Sequence, residues 1–89
     1  ANKIQGKKRP LSSMTPTIVL KNDKPFLILG TPGGSTIITT VLQNILNVTL
    51  HGMNIKEAVS SPRFHSQWLP DMVFYEKYGL SSDIIENLK

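Results

Sequence analysis

From Pro25 to Ile55 the chain carries no Asp, Glu, Lys or Arg. A stretch of that kind either crosses a bilayer or folds as apolar elements broken by turns. The residues inside it decide between the two. Pro32, Gly33 and Gly34 interrupt it, threonines and asparagines recur along it, and its longest strictly apolar run is Phe26-Leu27-Ile28-Leu29. A spanning helix needs about 20 predominantly apolar residues, so no membrane span is predicted. Nor do the residues after Ala1 contain the apolar centre of a signal peptide. The chain reads as soluble.

Eighty-nine residues make one small domain or a piece of a larger one. A hydrophobic content of 39 % excludes disorder on composition, yet so short a chain leaves much of its apolar surface wet. There is no cysteine, which excludes a disulfide framework, a thiolate nucleophile and a cysteine zinc site. The net charge of +4 suggests nucleic acid until its distribution is seen. Lys3, Lys7, Lys8 and Arg9 supply it, and from Pro10 onward acidic and basic residues balance. Residues 1–10 are therefore expected to be a solvated, flexible basic arm, and no nucleic-acid partner is predicted.

Thr15 to Leu20 is rich in β-branched residues and Pro25 to Leu29 is apolar, with the polar turn Lys21-Asn22-Asp23-Lys24 between them. This predicts a β-hairpin. Both strands are more apolar than alternation requires, as in sheets covered on both faces. After Gly30-Thr31-Pro32-Gly33-Gly34-Ser35, the residues Ile37, Ile38, Val41, Leu42, Ile45 and Leu46 recur at helical spacing, with Thr39, Thr40, Gln43 and Asn44 opposite. Gly34 or Ser35 is the expected N-cap and His51-Gly52 the expected stop. Asn54 and Glu57 have the spacing of a capping box opening a second, short helix, which Ser61-Pro62 ends. Arg63 to Met72 predicts neither strand nor helix. Val73 to Lys77 predicts a third strand, and Ser81 the cap of a last helix bearing Ile84, Ile85 and Leu88. The order is a β-hairpin, helices, a further strand and a terminal helix: an α/β chain with too few strands to stand alone.

Three groups of residues could carry chemistry. Pro32-Gly33-Gly34-Ser35 turns from a strand into a helix, where consecutive glycines and unpaired helix N–H groups can hold an anion or an oxyanion. On local pattern alone a tight turn is the commoner use, and the spacing fits neither a Walker A loop nor a dinucleotide fingerprint. Ser12 and Ser13 are neighbouring hydroxyls able to donate to one carboxylate, although such loop pairs more often bond local backbone. His51 and His65 are too few and too far apart for a metal site. His51 is expected at a helix C-terminus, His65 as a packed loop residue, and Phe64 to Trp68 as a satellite core under a loop.

The combination says more than its parts. Arg9-Pro10-Leu11-Ser12-Ser13-Met14-Thr15-Pro16-Thr17-Ile18-Val19, the Gly30-to-Ser35 turn followed by Ile37-Ile38-Thr39-Thr40-Val41-Leu42-Gln43, and Ser61-Pro62-Arg63-Phe64-His65-Ser66-Gln67-Trp68-Leu69-Pro70-Asp71 together closely resemble the γ-glutamyltranspeptidases. The resemblance runs from about Asn2 to the end and lies in the central part of that family's small subunit. It implies a partial α-β-β-α sandwich of the N-terminal-nucleophile hydrolase class. These enzymes cleave themselves to expose a threonine, which attacks γ-glutamyl donors such as glutathione and passes the glutamyl group to an amino acid or water.

Residue by residue, the resemblance implicates Ser12 and Ser13 in holding the donor α-carboxylate, and the N–H groups of Gly33 and Gly34 in binding the oxyanion. No metal or organic cofactor is implied. The family's nucleophile lies upstream of the serine motif, so residues 1–89 are expected to be a fragment of the small-subunit domain, inactive alone. In the full enzyme its partners would be the large subunit and the rest of the small subunit. The family is commonly periplasmic, secreted or at the cell surface. Two other readings of the residues stay open: a related acylase, and a non-catalytic interaction module, such as a homo-oligomer that completes its sheet by edge pairing.

Overall fold

The computed structural model describes residues 3–89. Two strands open the fold, β1 (Thr17–Lys21) and β2 (Lys24–Leu29), paired antiparallel with Thr17 opposite Leu29 and Val19 opposite Leu27. The connection is a two-residue turn rather than the expected four. Asn22 and Asp23 both take positive φ, 51° and 61°, the mirror-image turn whose twist matches that of the strands and which Asn and Asp tolerate best. The register shifts beyond Val19, so that Leu20 lies opposite Pro25. Phe26 is the extra residue of a bulge, beside a proline with no N–H to give the ladder.

A 3₁₀ turn, Gly34–Thr36, leads into α1 (Ile37–Thr49), so Thr36 takes the cap position expected of Gly34 or Ser35. Ile37, Val41 and Asn44 are the buried residues of α1. Ile38 and Leu42 of the predicted apolar face are exposed, while Thr39 and Gln43, expected on the opposite face, make the tertiary contacts described below. The helix ends where predicted: Met53 N–H bonds back to the Asn47 carbonyl at 3.0 Å, and Gly52 takes φ 65°.

Helix α2 (Ile55–Ser60) opens on the expected capping box. Glu57 N–H donates to Asn54 Oδ1 at 3.0 Å, and Asn54 N–H donates to Glu57 Oε2 at 3.0 Å. Its end at Ser61 is extended, ψ 137°, as a following proline demands. Ala58 is buried where α2 meets α1, and Asn47 Nδ2 donates to its carbonyl.

The strand expectations beyond this point are corrected. Arg63 to Met72 contains a strand after all, β3 (Phe64–His65), and the predicted strand over Val73 to Lys77 shrinks to β4 (Phe74–Tyr75). These two pair antiparallel with each other, not with the hairpin, giving two two-stranded sheets instead of one with three strands. Arg63 and Glu76 close the pair: Arg63 Nη2 and Nε donate to Glu76 Oε1 at 2.7 and 3.0 Å. Helix α3 (Ser82–Asn87) follows Ser81, whose side chain makes no capping hydrogen bond.

The described residues form an open, flat arrangement with few buried side chains. The described residues extend 48 × 43 × 16 Å with a radius of gyration of 16.2 Å, against about 12 Å for a compact chain of this length. Thr17, Val19, Leu27 and Leu29 share one face of the hairpin. There Leu27 is buried, across an open cleft from Val48, Met53 and Ile55. On the other face Ile18, Leu20 and Ile28 are exposed. The satellite core expected around Phe64 and Trp68 is absent. Phe64 is half exposed, Trp68 is 81 % exposed, and His65 alone of that stretch is buried. The basic arm is exposed from Lys3 onward and turns at Gln5, whose carbonyl accepts from Lys8 N–H at 3.3 Å. Ala1 and Asn2 of the predicted arm lie outside the described residues.

Candidate functional site

The hairpin positions the two candidate motifs. Since Thr17 pairs with Leu29, the segment bearing Ser12 and Ser13 enters at the same open end of the hairpin from which Gly30 to Ser35 leaves. Ser12 is exposed and Ser13 half buried. Ser12 Oγ accepts from Met14 N–H at 3.2 Å, and the Ser13 carbonyl accepts from Thr15 Oγ1 at 2.9 Å. Those local bonds hold the loop, yet neither serine hydroxyl donates to an acceptor among the described residues. Both keep a proton to offer.

At the corner, Gly33 takes φ 142° and Gly34 φ 59°. A Cβ on Gly33 would lie 2.6 Å from Thr36 Oγ1, whereas around Gly34 there is open space. Glycine is therefore required twice, for close approach at Gly33 and for left-handed backbone at both. Both residues are exposed, and their N–H groups find no protein acceptor among the described residues. Corners of this kind present successive N–H groups to an anion.

The histidines are not brought together into a metal site. His51 is exposed past the end of α1. His65 is only 7 % exposed, on β3 rather than in a loop, with Nδ1 2.8 Å from Thr39 Oγ1 and Nε2 2.9 Å from Gln67 Oε1. Gln43 runs parallel to that contact: its Nε2 donates to the Phe64 carbonyl at 2.7 Å, and its Oε1 accepts from Phe64 N–H at 3.1 Å. Thr39 and Gln43, which tie α1 to β3, were not among the sequence candidates, and His65 was weighed only as a metal ligand, a base for the serines or a packed loop residue. Their signal was present in a weak form, as a Thr and a Gln four apart on a helix within a charge-free run.

The family model for gamma-glutamyltranspeptidase matches residues 1–89. The chain belongs to the γ-glutamyltranspeptidase family. It is 54 % identical over 89 residues to the glutathione hydrolase proenzyme of Escherichia coli (strain K12), covering all of this chain and 15 % of that protein. Among solved structures, a mutant of Helicobacter pylori γ-glutamyltranspeptidase superposes with a TM-score of 0.91 at 65 % identity, covering 96 % of this chain and 46 % of that one. An acivicin-inhibited γ-glutamyltranspeptidase gives 0.92 at 64 % identity, over 98 % of this chain and 46 % of that one. The fold is therefore the corresponding part of the N-terminal-nucleophile hydrolase sandwich. The chain spans about a seventh of the length of the curated γ-glutamyltranspeptidase relatives it matches.

Proposed function

We propose that the full-length protein carrying this segment transfers or hydrolyses the γ-glutamyl group of glutathione-like donors, with a threonine outside the motifs seen here as nucleophile. The threonine oxygen attacks the γ-carbonyl carbon, the carbon–nitrogen bond to the leaving amine breaks as that nitrogen takes a proton, and water or an amino acid then accepts the acyl group. Ser12 and Ser13 hold the donor α-carboxylate, and the Gly33 and Gly34 N–H groups meet the oxyanion of each tetrahedral intermediate. The observation that carries this is membership of the family over the whole chain; it is supported by two serine hydroxyls and two glycine N–H groups without a protein acceptor among the described residues, on the two segments that leave the open end of the hairpin. The rest of the small subunit and the large subunit complete the site.

The serine role has its own test in the full-length enzyme. A charge-assisted hydrogen bond contributes about 1.5–3 kcal/mol, so Ser12→Ala with Ser13→Ala should cut kcat/KM at least about tenfold for a donor bearing the α-carboxylate. A decarboxylated donor analogue should lose much less. Equal losses for the two donors return the serines to loop structure.

A further inference from the structure

The glycine corner is held from behind by a line of hydrogen bonds that ends on His65. The Gly33 carbonyl accepts from Thr36 N–H at 3.2 Å and from Thr36 Oγ1 at 2.9 Å. A trans peptide is planar, so fixing that carbonyl also fixes the direction of the Gly34 N–H on its far side. One turn on, Thr39 Oγ1 lies 3.1 Å from the Thr36 carbonyl and 2.8 Å from Nδ1 of His65. The other ring nitrogen is 2.9 Å from Gln67 Oε1, while Gln67 Nε2 donates to the Leu69 carbonyl at 2.9 Å.

With its NH₂ engaged by Leu69, Gln67 presents an oxygen, so the neutral His65 ring carries its proton on Nε2. Nδ1 is then an acceptor; the single Thr39 hydroxyl proton is shared between it and the Thr36 carbonyl, and the contact ties the first turn of α1 to β3. The Gln43 amide, bonded to both the N–H and the carbonyl of Phe64, keeps the His65 backbone in register with α1. A buried imidazole needs partners for both ring nitrogens, and His65 finds one of them on α1, so its burial ties β3 to the helix that leaves the glycine corner.

We propose that His65 is a positioning residue for the oxyanion corner, acting through the Thr39 hydroxyl on the first turn of α1. This rests on the oxyanion role of Gly33 and Gly34. His65 touches neither donor nor oxyanion. It limits the tilt of the helix start, and through Thr36 the aim of the Gly34 N–H. Its loss misdirects a donor instead of removing one, so the effect is smaller than the roughly 10²–10³-fold loss of an oxyanion donor. It falls on kcat, because the oxyanion forms only after the donor is bound.

The test uses the full-length enzyme, with kcat and KM measured per mature active site on a γ-glutamyl anilide. His65→Ala and Thr39→Val should each lower kcat about tenfold with KM changed less than about twofold. Because both cut one line, the double variant should lose no more than the worse single one. His65→Asn, whose side-chain oxygen can fall near the Nδ1 position and accept from Thr39, should recover most of the rate. Multiplied losses in the double variant, a loss confined to KM, or His65→Asn as slow as His65→Ala overturns the proposal. Should His65→Ala fail to fold, Thr39→Ser against Thr39→Val decides: a slow Val variant beside a normal Ser variant upholds the relay, and two normal variants overturn it. Gly34→Val separates this from the reading beneath it. Undiminished turnover there removes the oxyanion role, whereas slow turnover there with normal His65 and Thr39 variants removes only the relay.

Discussion

At the scale of single residues, Gly33 and Gly34 are glycines for different reasons, and substitutions should tell them apart. Around Gly34 there is room for a side chain but the backbone is left-handed. Gly34→Val in the full-length enzyme should therefore bend the corner and cost turnover on the order of 10²–10³, read as kcat at saturating donor. Gly33→Ala adds a collision, its Cβ falling 2.6 Å from Thr36 Oγ1, on top of backbone strain of about 1–3 kcal/mol. It should lower the melting temperature as well as kcat. A Gly33→Ala protein with wild-type melting temperature would show that the corner relaxes freely. The serines differ in kind: neither has a left-handed backbone, and Ser12 Oγ accepts from Met14 N–H while its own proton finds no acceptor among the described residues.

At the scale of elements, two short pieces are held by identifiable local devices. Helix α2 has six residues, too short to persist without its cap, and its capping box is complete. In the full-length enzyme, Asn54→Ala should cost about 1 kcal/mol of stability, seen as a lowered midpoint in denaturant at unchanged slope. An unchanged midpoint would mean that packing of Ala58 against α1 suffices. The β3–β4 pair depends on Arg63 and Glu76. Side-chain hydrogen bonds from Arg63 hold the Glu76 carboxyl below its ordinary value, the Arg63 N–H adds to this, and slight burial opposes it. A carboxyl held low when folded stabilises the fold above the ordinary glutamate range, and that contribution is lost as pH falls through the lowered value. Both partners are partly solvated, so the effect is modest. In the full-length enzyme, Glu76→Gln should lower the melting temperature at pH 7 more than at pH 3. An equal change at both would assign the loss to something other than the ion pair.

At the scale of the whole molecule, the described residues form a slab 16 Å thick in which Leu27, Ile37, Val41 and Ala58 are the buried apolar residues. Ordering a residue costs roughly 1–2 kcal/mol of backbone entropy, and so few buried side chains cannot offset that over the chain. Ile18, Leu20 and Ile28 leave a further apolar face uncovered among the described residues. The isolated 89-residue polypeptide is therefore expected to unfold without a cooperative transition by circular dichroism, and to release no amine from a γ-glutamyl anilide. Turnover that survives repurification and vanishes on Ser12→Ala would make this chain a serine enzyme in its own right.

The hairpin, α1, the capping box and the glycine corner were legible in the sequence because each is written locally. Asn22-Asp23 favours its turn, apolar residues recur every three or four positions, Asn54 reaches Glu57 three residues on, and Gly33-Gly34 permits a backbone that other residues resist. Family membership was legible because three such motifs stand in order. The strand β3 was not, since two residues have no periodicity to read, nor was its pairing with β4, which lies inside the strand predicted over Val73 to Lys77. Nor was the role of Thr39, Gln43 and His65. Polar residues opposite an apolar stripe look like a solvated face, and only the packing of β3 against α1 brings the 26-residue-distant imidazole to the threonine hydroxyl. Local backbone preferences act before the chain has a tertiary structure, whereas a hydrogen bond across so long a loop exists only after the closure entropy has been met by the packing of everything between.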